Sequence, residues 1–172
     1  MADILELIYE DHDWFRRHFF YLDDAATPEE LTAIWEPLAF RLDLHADAEE
    51  RIFYPALLKK GAAGDPEDET EDAISDHNAI RDAVREAAGL PVGSPEWFAA
   101  VGRALTENGE HLDEEEREAL PDFRKSTSPE LRHELAMKWL RFYHAAGKGP
   151  KADAATVDTA NKDPEEYIEE HS

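Results

Sequence analysis

The segment HADAEERIFYP, from His45 to Pro55, returns 66 residues later as HLDEEEREALP, from His111 to Pro121. Each copy sets a carboxylate four residues after an imidazole: Glu49 after His45, and Glu115 after His111. Residues so spaced lie about 40° apart around a helix, so each pair points one way. Two further histidines, His12 and His77, sit on apolar helical stripes of their own. Ionised carboxylates are costly to bury without compensation. Two of them, ringed by imidazoles and with no obvious cation beside them, call for a metal. Nitrogen and oxygen donors without sulfur suit iron, manganese or zinc. Six donors exceed a closed four-ligand zinc site. They suit two metals, with the glutamates bridging and the histidines at the outer ends.

Helices must deliver these groups to one place. Ile4, Ile8, Phe15, Phe19 and Leu22 form one apolar stripe, and His12 falls within it. Thr27-Pro28-Glu29-Glu30 is a capping box that opens a second helix. That helix carries Leu31, Ile34, Leu38, Leu42 and Ile52, with His45 and Glu49 in the same row. Pro37 is expected to kink or interrupt it. A third helix, from about Glu69 to Ala88, turns Ile74, His77, Ile80 and Val84 inward. A fourth starts at Ser94-Pro95-Glu96 and is expected to turn Phe98, Val101, Leu105, His111 and Glu115 inward until Pro121 ends it. A fifth runs from Ser128-Pro129-Glu130 to about Ala146. No convincing strand series is present. The expected fold is all-α: an antiparallel up-down four-helix bundle with a short fifth C-terminal helix. Residues 1–146 form its domain, and residues 147–172 read as an acidic tail, mobile or loosely docked. His12 and His45 are 33 residues apart, and His77 and His111 are 34 apart. Two helical hairpins related by a pseudo-twofold axis would each supply half of one shared site.

Composition narrows the function classes. The 172 residues suit about one domain with a real core. The absence of cysteine excludes disulfides, thiolate metal sites and a cysteine nucleophile. It suits a reducing compartment, and with no secretory leader in MADILELIYEDHD the expected location is cytoplasmic. No stretch approaches a membrane span. A net charge of -23 repels phosphate backbones and anionic lipids, so neither nucleic acid nor a membrane surface is an expected partner.

The order His, HxxxE, His, HxxxE on four helices resembles the hemerythrin-like proteins of the HHE cation-binding type. The likeness covers about residues 3–121. Carried over position by position, it implies His12 (in YEDHDWF), His45 and Glu49 (HADAE), His77 (SDHNAI), and His111 and Glu115 (HLDEE) as metal ligands. It also implies a hemerythrin-like bundle around two iron ions, oxo- or hydroxo-bridged. Members of the family carry or sense dioxygen, handle iron, or react with peroxide or nitric oxide. The oxygen carriers have another histidine one turn after the third-helix histidine, where this chain has Arg81. They also place their last carboxylate five residues after the histidine, where this chain has Glu116. The missing imidazole implies an open coordination position, and favours chemistry with a small oxidant over reversible oxygen carriage. Peroxide breakdown is the first such chemistry to test, with dioxygen and nitric oxide as the other candidate ligands. A non-enzymatic iron or oxygen sensor, store or carrier is the alternative, and a structural metal such as zinc is a third. No DNA-binding, ubiquitin-ligase or kinase module is present to take a sensor's output.

The remaining polar residues take ordinary readings. Glu50 and Glu116 read as solvated or capping neighbours. Asp47 and Asp113 read as surface charges or acceptors for imidazole N–H groups. Arg51 and Arg117 pair with acids one turn away. Arg81 shares a face with His77 and is expected to snorkel toward the bundle end. Tyr54 reads as packing with its hydroxyl in water; a role at the metal would need the helix end to turn it inward. His18, His133, His144 and His171 read as surface residues. The four tryptophans, Trp14, Trp35, Trp97 and Trp139, read as core or interface packing.

Overall fold

The computed structural model describes residues 1–62, 64–146 and 157–172, and among them the chain is helical with no strand. Helix α1 spans Ile4–Asp24 and α2 Pro28–Ala48. A π-helical turn, Glu49–Phe53, leads into α3, Tyr54–Lys60. Helices α4, Pro66–Ala88, and α5, Pro95–Arg117, form the second hairpin. Then come α6, Ala119–Ser126, α7, Pro129–Ala146, and α8, Pro164–His171. Helices α1, α2, α4 and α5 make the four-helix bundle; α7 lies along α1 and α2, and α8 along α4.

Local chemistry sets the helix starts. Asp3, Thr27, Asp65, Ser94 and Asp163 each accept a backbone N–H of the first turn, and Thr27 with Glu30 forms the full capping box. The repeated proline explains what happens at the other end. A proline ring clashes with the carbonyl four residues back and gives it no N–H. For Pro55 that carbonyl belongs to Arg51, inside the π-helical turn. For Pro121 it belongs to Arg117, where α5 stops. Both copies of the motif therefore leave regular α-helical geometry at the same register. Pro37 behaves otherwise, because α2 continues through it. Pro37 and Ala33, its unpaired acceptor, are both exposed, so water can take the free carbonyl.

Two apolar layers sandwich the polar residues. One is built on Phe15, Phe19, Trp35, Leu38, Leu42, Val84 and Trp97. The other is built on Ile4, Ile8, Phe53, Leu57, Ile74, Phe123 and Trp139. The inward stripe of α5 is rotated from the expected one. Trp97, Val101, Ala104 and Asn108 are buried, while Phe98 and Leu105 are each 48% exposed. The larger indole takes the core position, and the shift still carries His111 and Glu115 inward.

The C-terminal region also differs from expectation. Residues 147–156 of the proposed tail lie outside the described residues. Residues 157–172 are not loose against the bundle. Asn78 and Lys162 exchange two hydrogen bonds, side-chain amide to backbone carbonyl and backbone N–H to side-chain carbonyl. The Asp158 N–H donates to Asp47, and Tyr167 is buried in the apolar layer of α3 and α7.

Candidate metal centre

All six sequence-selected residues meet between the two apolar layers. His12, His45, Glu49, His77, His111 and Glu115 are each at most 4% exposed. They form two groups that could hold a metal ion. One is His12, His45, Glu49 and Glu115; the other is Glu49, His77 and His111. Glu49 belongs to both. Its Oε1 lies 3.0 Å from His45 Nε2, and its Oε2 lies 3.2 Å from His77 Nε2. Glu115 Oε2 lies 3.2 Å from His12 Nε2. His77 Nε2 and His111 Nε2 are 3.2 Å apart.

Of these approaches, only the one between His77 Nε2 and His111 Nε2 has hydrogen-bond geometry. His12 Nε2, His45 Nε2, both oxygens of Glu49 and Glu115 Oε2 are buried with no hydrogen-bond partner. Each such atom costs about 1–3 kcal/mol. Five orphaned donor-type atoms facing one space fit metal ligation, because a metal would take all their lone pairs at once. Charge points the same way. Among the described residues, only imidazoles contact Glu49 and Glu115 as cation partners; no Arg or Lys does.

Behind each imidazole stands a second carboxylate. His12 Nδ1 lies 2.8 Å from Glu116, His45 Nδ1 3.0 Å from Asp11, His77 Nδ1 2.9 Å from Glu50, and His111 Nδ1 3.5 Å from Asp76. Such partners fix the tautomer, leave Nε2 to bind, and raise ligand basicity. The pattern is doubly repeated. In each HxxxEE copy the first glutamate faces the cluster, and the second backs the histidine of the opposite hairpin. In each Asp-His pair, Asp11-His12 and Asp76-His77, the aspartate backs the HxxxE histidine of its own hairpin. The arginine four residues after each of those histidines caps the second glutamate: Arg16 on Glu116, and Arg81 on Glu50.

Several ordinary readings are thereby corrected. Glu50 is 2% exposed and Arg81 is 1% exposed, so neither is solvated and Arg81 does not snorkel. Arg81 donates to both oxygens of Glu50, at 2.9 and 3.1 Å. Glu116 is partly covered and tied to His12 and Arg16. Asp47 is buried yet backs no histidine; it takes Arg51 and the Asp158 N–H. Asp113 is an exposed partner of Arg16. His144 is exposed, His18, His133 and His171 are half-buried, and none joins the cluster. Asp11 and Asp76 are not among the residues picked out by helical spacing; their signal in the sequence is the repeated D-H-x-x-x-R, from Asp11 to Arg16 and from Asp76 to Arg81.

Tyr54 is fully buried, and its hydroxyl donates to Glu115 Oε1 at 2.9 Å. The π-helical turn makes this possible: one extra residue per turn rotates everything after it. Leu120 occupies the matching position in the second copy, so this contact breaks the symmetry. A cavity of about 30 Å³, enough for about one water, is lined by Tyr54, Asp76, His111 and Glu115 among others.

Within the cluster, imidazoles and carboxylates compensate one another's burial. Burial opposes charge on His45 and His111, but the facing Glu49, with Asp11 and Asp76 behind, outweighs it and pushes both up to about 10. Burial likewise opposes ionisation of Glu49, and the imidazoles His45, His111 and His77 overcome it, holding its carboxyl well below the usual range. For Tyr54, burial and then the charges of Glu115 and Glu49 drive the phenol well up, so it stays a donor.

No curated protein and no solved structure matches this chain significantly. The family model for the hemerythrin HHE cation-binding domain matches residues 3–123. This covers every residue of both candidate metal groups and leaves α7 and α8 outside. With that match over most of its length, the chain belongs to the hemerythrin HHE cation-binding domain family.

Proposed function

We propose that the protein is a non-haem di-iron protein that reacts with a small oxidant, hydrogen peroxide first, and with dioxygen or nitric oxide as the other candidates. The observation that carries this reading is the inequality of the two groups. His12, His45, Glu49 and Glu115 supply four ligands to one position, whereas Glu49, His77 and His111 supply three to the other. The three-ligand position is the one left open to an incoming molecule. Iron bound there would supply Lewis acidity and electrons. Glu49 would bind through both oxygens, tying the two positions together. Tyr54 holds Glu115 Oε1, occupying one of its two oxygens, and presents a neutral O–H beside the small cavity. The cavity of about 30 Å³ beside His111 suits a molecule of a few atoms. Arg81, at the position where oxygen carriers have a further histidine, is committed to Glu50 and supplies no lone pair.

A net charge of -23 gives no reason to propose nucleic acid or an anionic surface as a partner. No described helix is long and apolar enough to cross a membrane. The test is metal analysis with the visible spectrum of the purified protein, before and after peroxide. About two irons per chain, an absorbing centre and a spectrum altered as peroxide is consumed are the expected result. A single colourless zinc, retained when iron is offered, would replace this reading with a structural metal.

A further inference from the structure

The residues beyond the family match reach the carboxylates behind the histidines, one segment for each candidate metal position. On the four-ligand side, the Tyr143 hydroxyl of α7 donates to Asp11, the carboxylate behind His45. On the three-ligand side the contacts are denser. Lys162 Nζ donates to Glu50 Oε2, and the Tyr167 hydroxyl donates to the Glu50 backbone carbonyl. Arg81 donates to Glu50 and to the Asp158 carbonyl. Arg85 ties down Thr159 and Asn161, and Asn78 ties down Lys162. Glu50 itself takes His77 Nδ1.

We propose that residues 158–167 are a positioning strap for the three-ligand metal position, with Lys162 and Tyr167 acting on His77 through Glu50. The inference rests on a metal binding at that position, as proposed above. Tyr167 grips the backbone of the π-helical turn, where Glu49 and Glu50 are neighbours. Moving that turn would move both the shared ligand and the carboxylate behind His77. Lys162 adds a second cation to a carboxylate that Arg81 already neutralises. A Glu50 so compensated withdraws less of the proton on His77 Nδ1, so His77 Nε2 donates less strongly to a metal. Removing the Lys162 charge should make His77 a stronger donor and lower the local positive field. Both changes favour ferric over ferrous iron. The second carboxylate of the repeat, Glu116, has Arg16 and no lysine, so the effect belongs to one position only.

The experiment compares the full-length parent with Lys162→Met, Lys162→Arg and Tyr167→Phe. Ferrous iron is titrated anaerobically, and the midpoint potentials of the loaded proteins are measured. Lys162→Met should shift one of the two potentials negative, by up to about a tenfold change in ferric-over-ferrous preference, ~59 mV for one electron. The other potential should stay in place. Lys162→Arg should restore the parent value, which a merely structural loss would not require. Tyr167→Phe should weaken one iron equivalent about 10-fold while the fold, read by circular dichroism, holds. A parent that binds no iron would remove the metal reading itself. A parent that binds two irons, with potentials and affinities unchanged in Lys162→Met and Tyr167→Phe, would overturn the strap alone.

Discussion

The Tyr54 hydroxyl donates to Glu115 Oε1, and this bond makes two otherwise matching glutamates unequal. Glu49 has both oxygens free to bind, whereas Glu115 has only Oε2. The inequality comes from one side chain, because the second copy of the repeat has Leu120 in that place. In Tyr54→Phe the freed oxygen can turn toward His77 and His111 and complete the three-ligand position. The second iron equivalent should then bind about tenfold more tightly, and peroxide turnover should fall. Without metal the variant should be less stable by about 1–3 kcal/mol, since a buried carboxylate oxygen loses its donor. Calorimetric iron titration and denaturant melts of the apo protein would check both. Unchanged affinity with unchanged turnover would show that Glu115 Oε1 has no part in closing the site.

Metal uptake should release protons. His45 and His111, both pushed up to about 10 in the metal-free protein, are charged at neutral pH. A metal needs the Nε2 lone pairs, so about two protons must leave. Because these folded-state values lie above the unfolded imidazole value, their contribution to apo stability is complete below about pH 6.5. It is lost as pH rises through about 10. Apo melting temperature should therefore decline over that window while apparent metal affinity climbs. Titrations in buffers of different ionisation enthalpy would count the protons. A pH-independent affinity would mean that the imidazoles are already neutral.

The clustering of the six residues was legible because helical spacing projects His and Glu at i and i+4 onto one face, and that relation survives any small rotation of the helix. What stands behind those residues was less legible. Asp11 backs His45 and Asp76 backs His111 across helix pairs, so no spacing within one helix reveals the partnership. Glu50 and Arg81 looked solvent-facing because four helices alone leave that side bare; residues 157–172 cover it. Regular α geometry past Glu49 would turn Tyr54 away from the cluster; the wider turn ahead of Pro55 brings it inward. The stripe of α5 shifted by one residue because Trp97 and Phe98 are adjacent and either could serve as the anchor.

His111 belongs to the candidate cluster, whereas His133 bonds the Ala2 carbonyl at the bundle surface. His111→Ala removes one of the three candidate ligands in its group and should abolish one iron equivalent. The loss should extend partly to the other equivalent, because Glu49 is shared. His133→Ala should load iron like the parent. Equal iron content in the two variants, measured by elemental analysis after desalting, would remove the proposed site.

Arg16 and Arg81 occupy matching places in the repeat, each four residues after a histidine and each on the second glutamate of the opposite hairpin. Their surroundings differ. The Arg16 side chain is 42% exposed and that of Arg81 is 1% exposed. An exposed pair contributes about 0–1 kcal/mol, while stripping one partner from a buried pair costs about 3–5 kcal/mol. Arg16→Gln should therefore barely move the unfolding midpoint. Arg81→Gln should destabilise by several times more, tempered because Lys162 still faces Glu50. The double variant Arg81→Gln, Glu50→Gln should recover part of the loss, since it removes the charge left without its guanidinium. It should still bind metal more weakly than the parent, because a neutral amide behind His77 fixes the ring less firmly. Urea unfolding of the four proteins, with and without iron, separates the two effects. Equal destabilisation by Arg16→Gln and Arg81→Gln would mean that Glu50 is hydrated in solution, and that the C-terminal segment does not seal that side of the bundle.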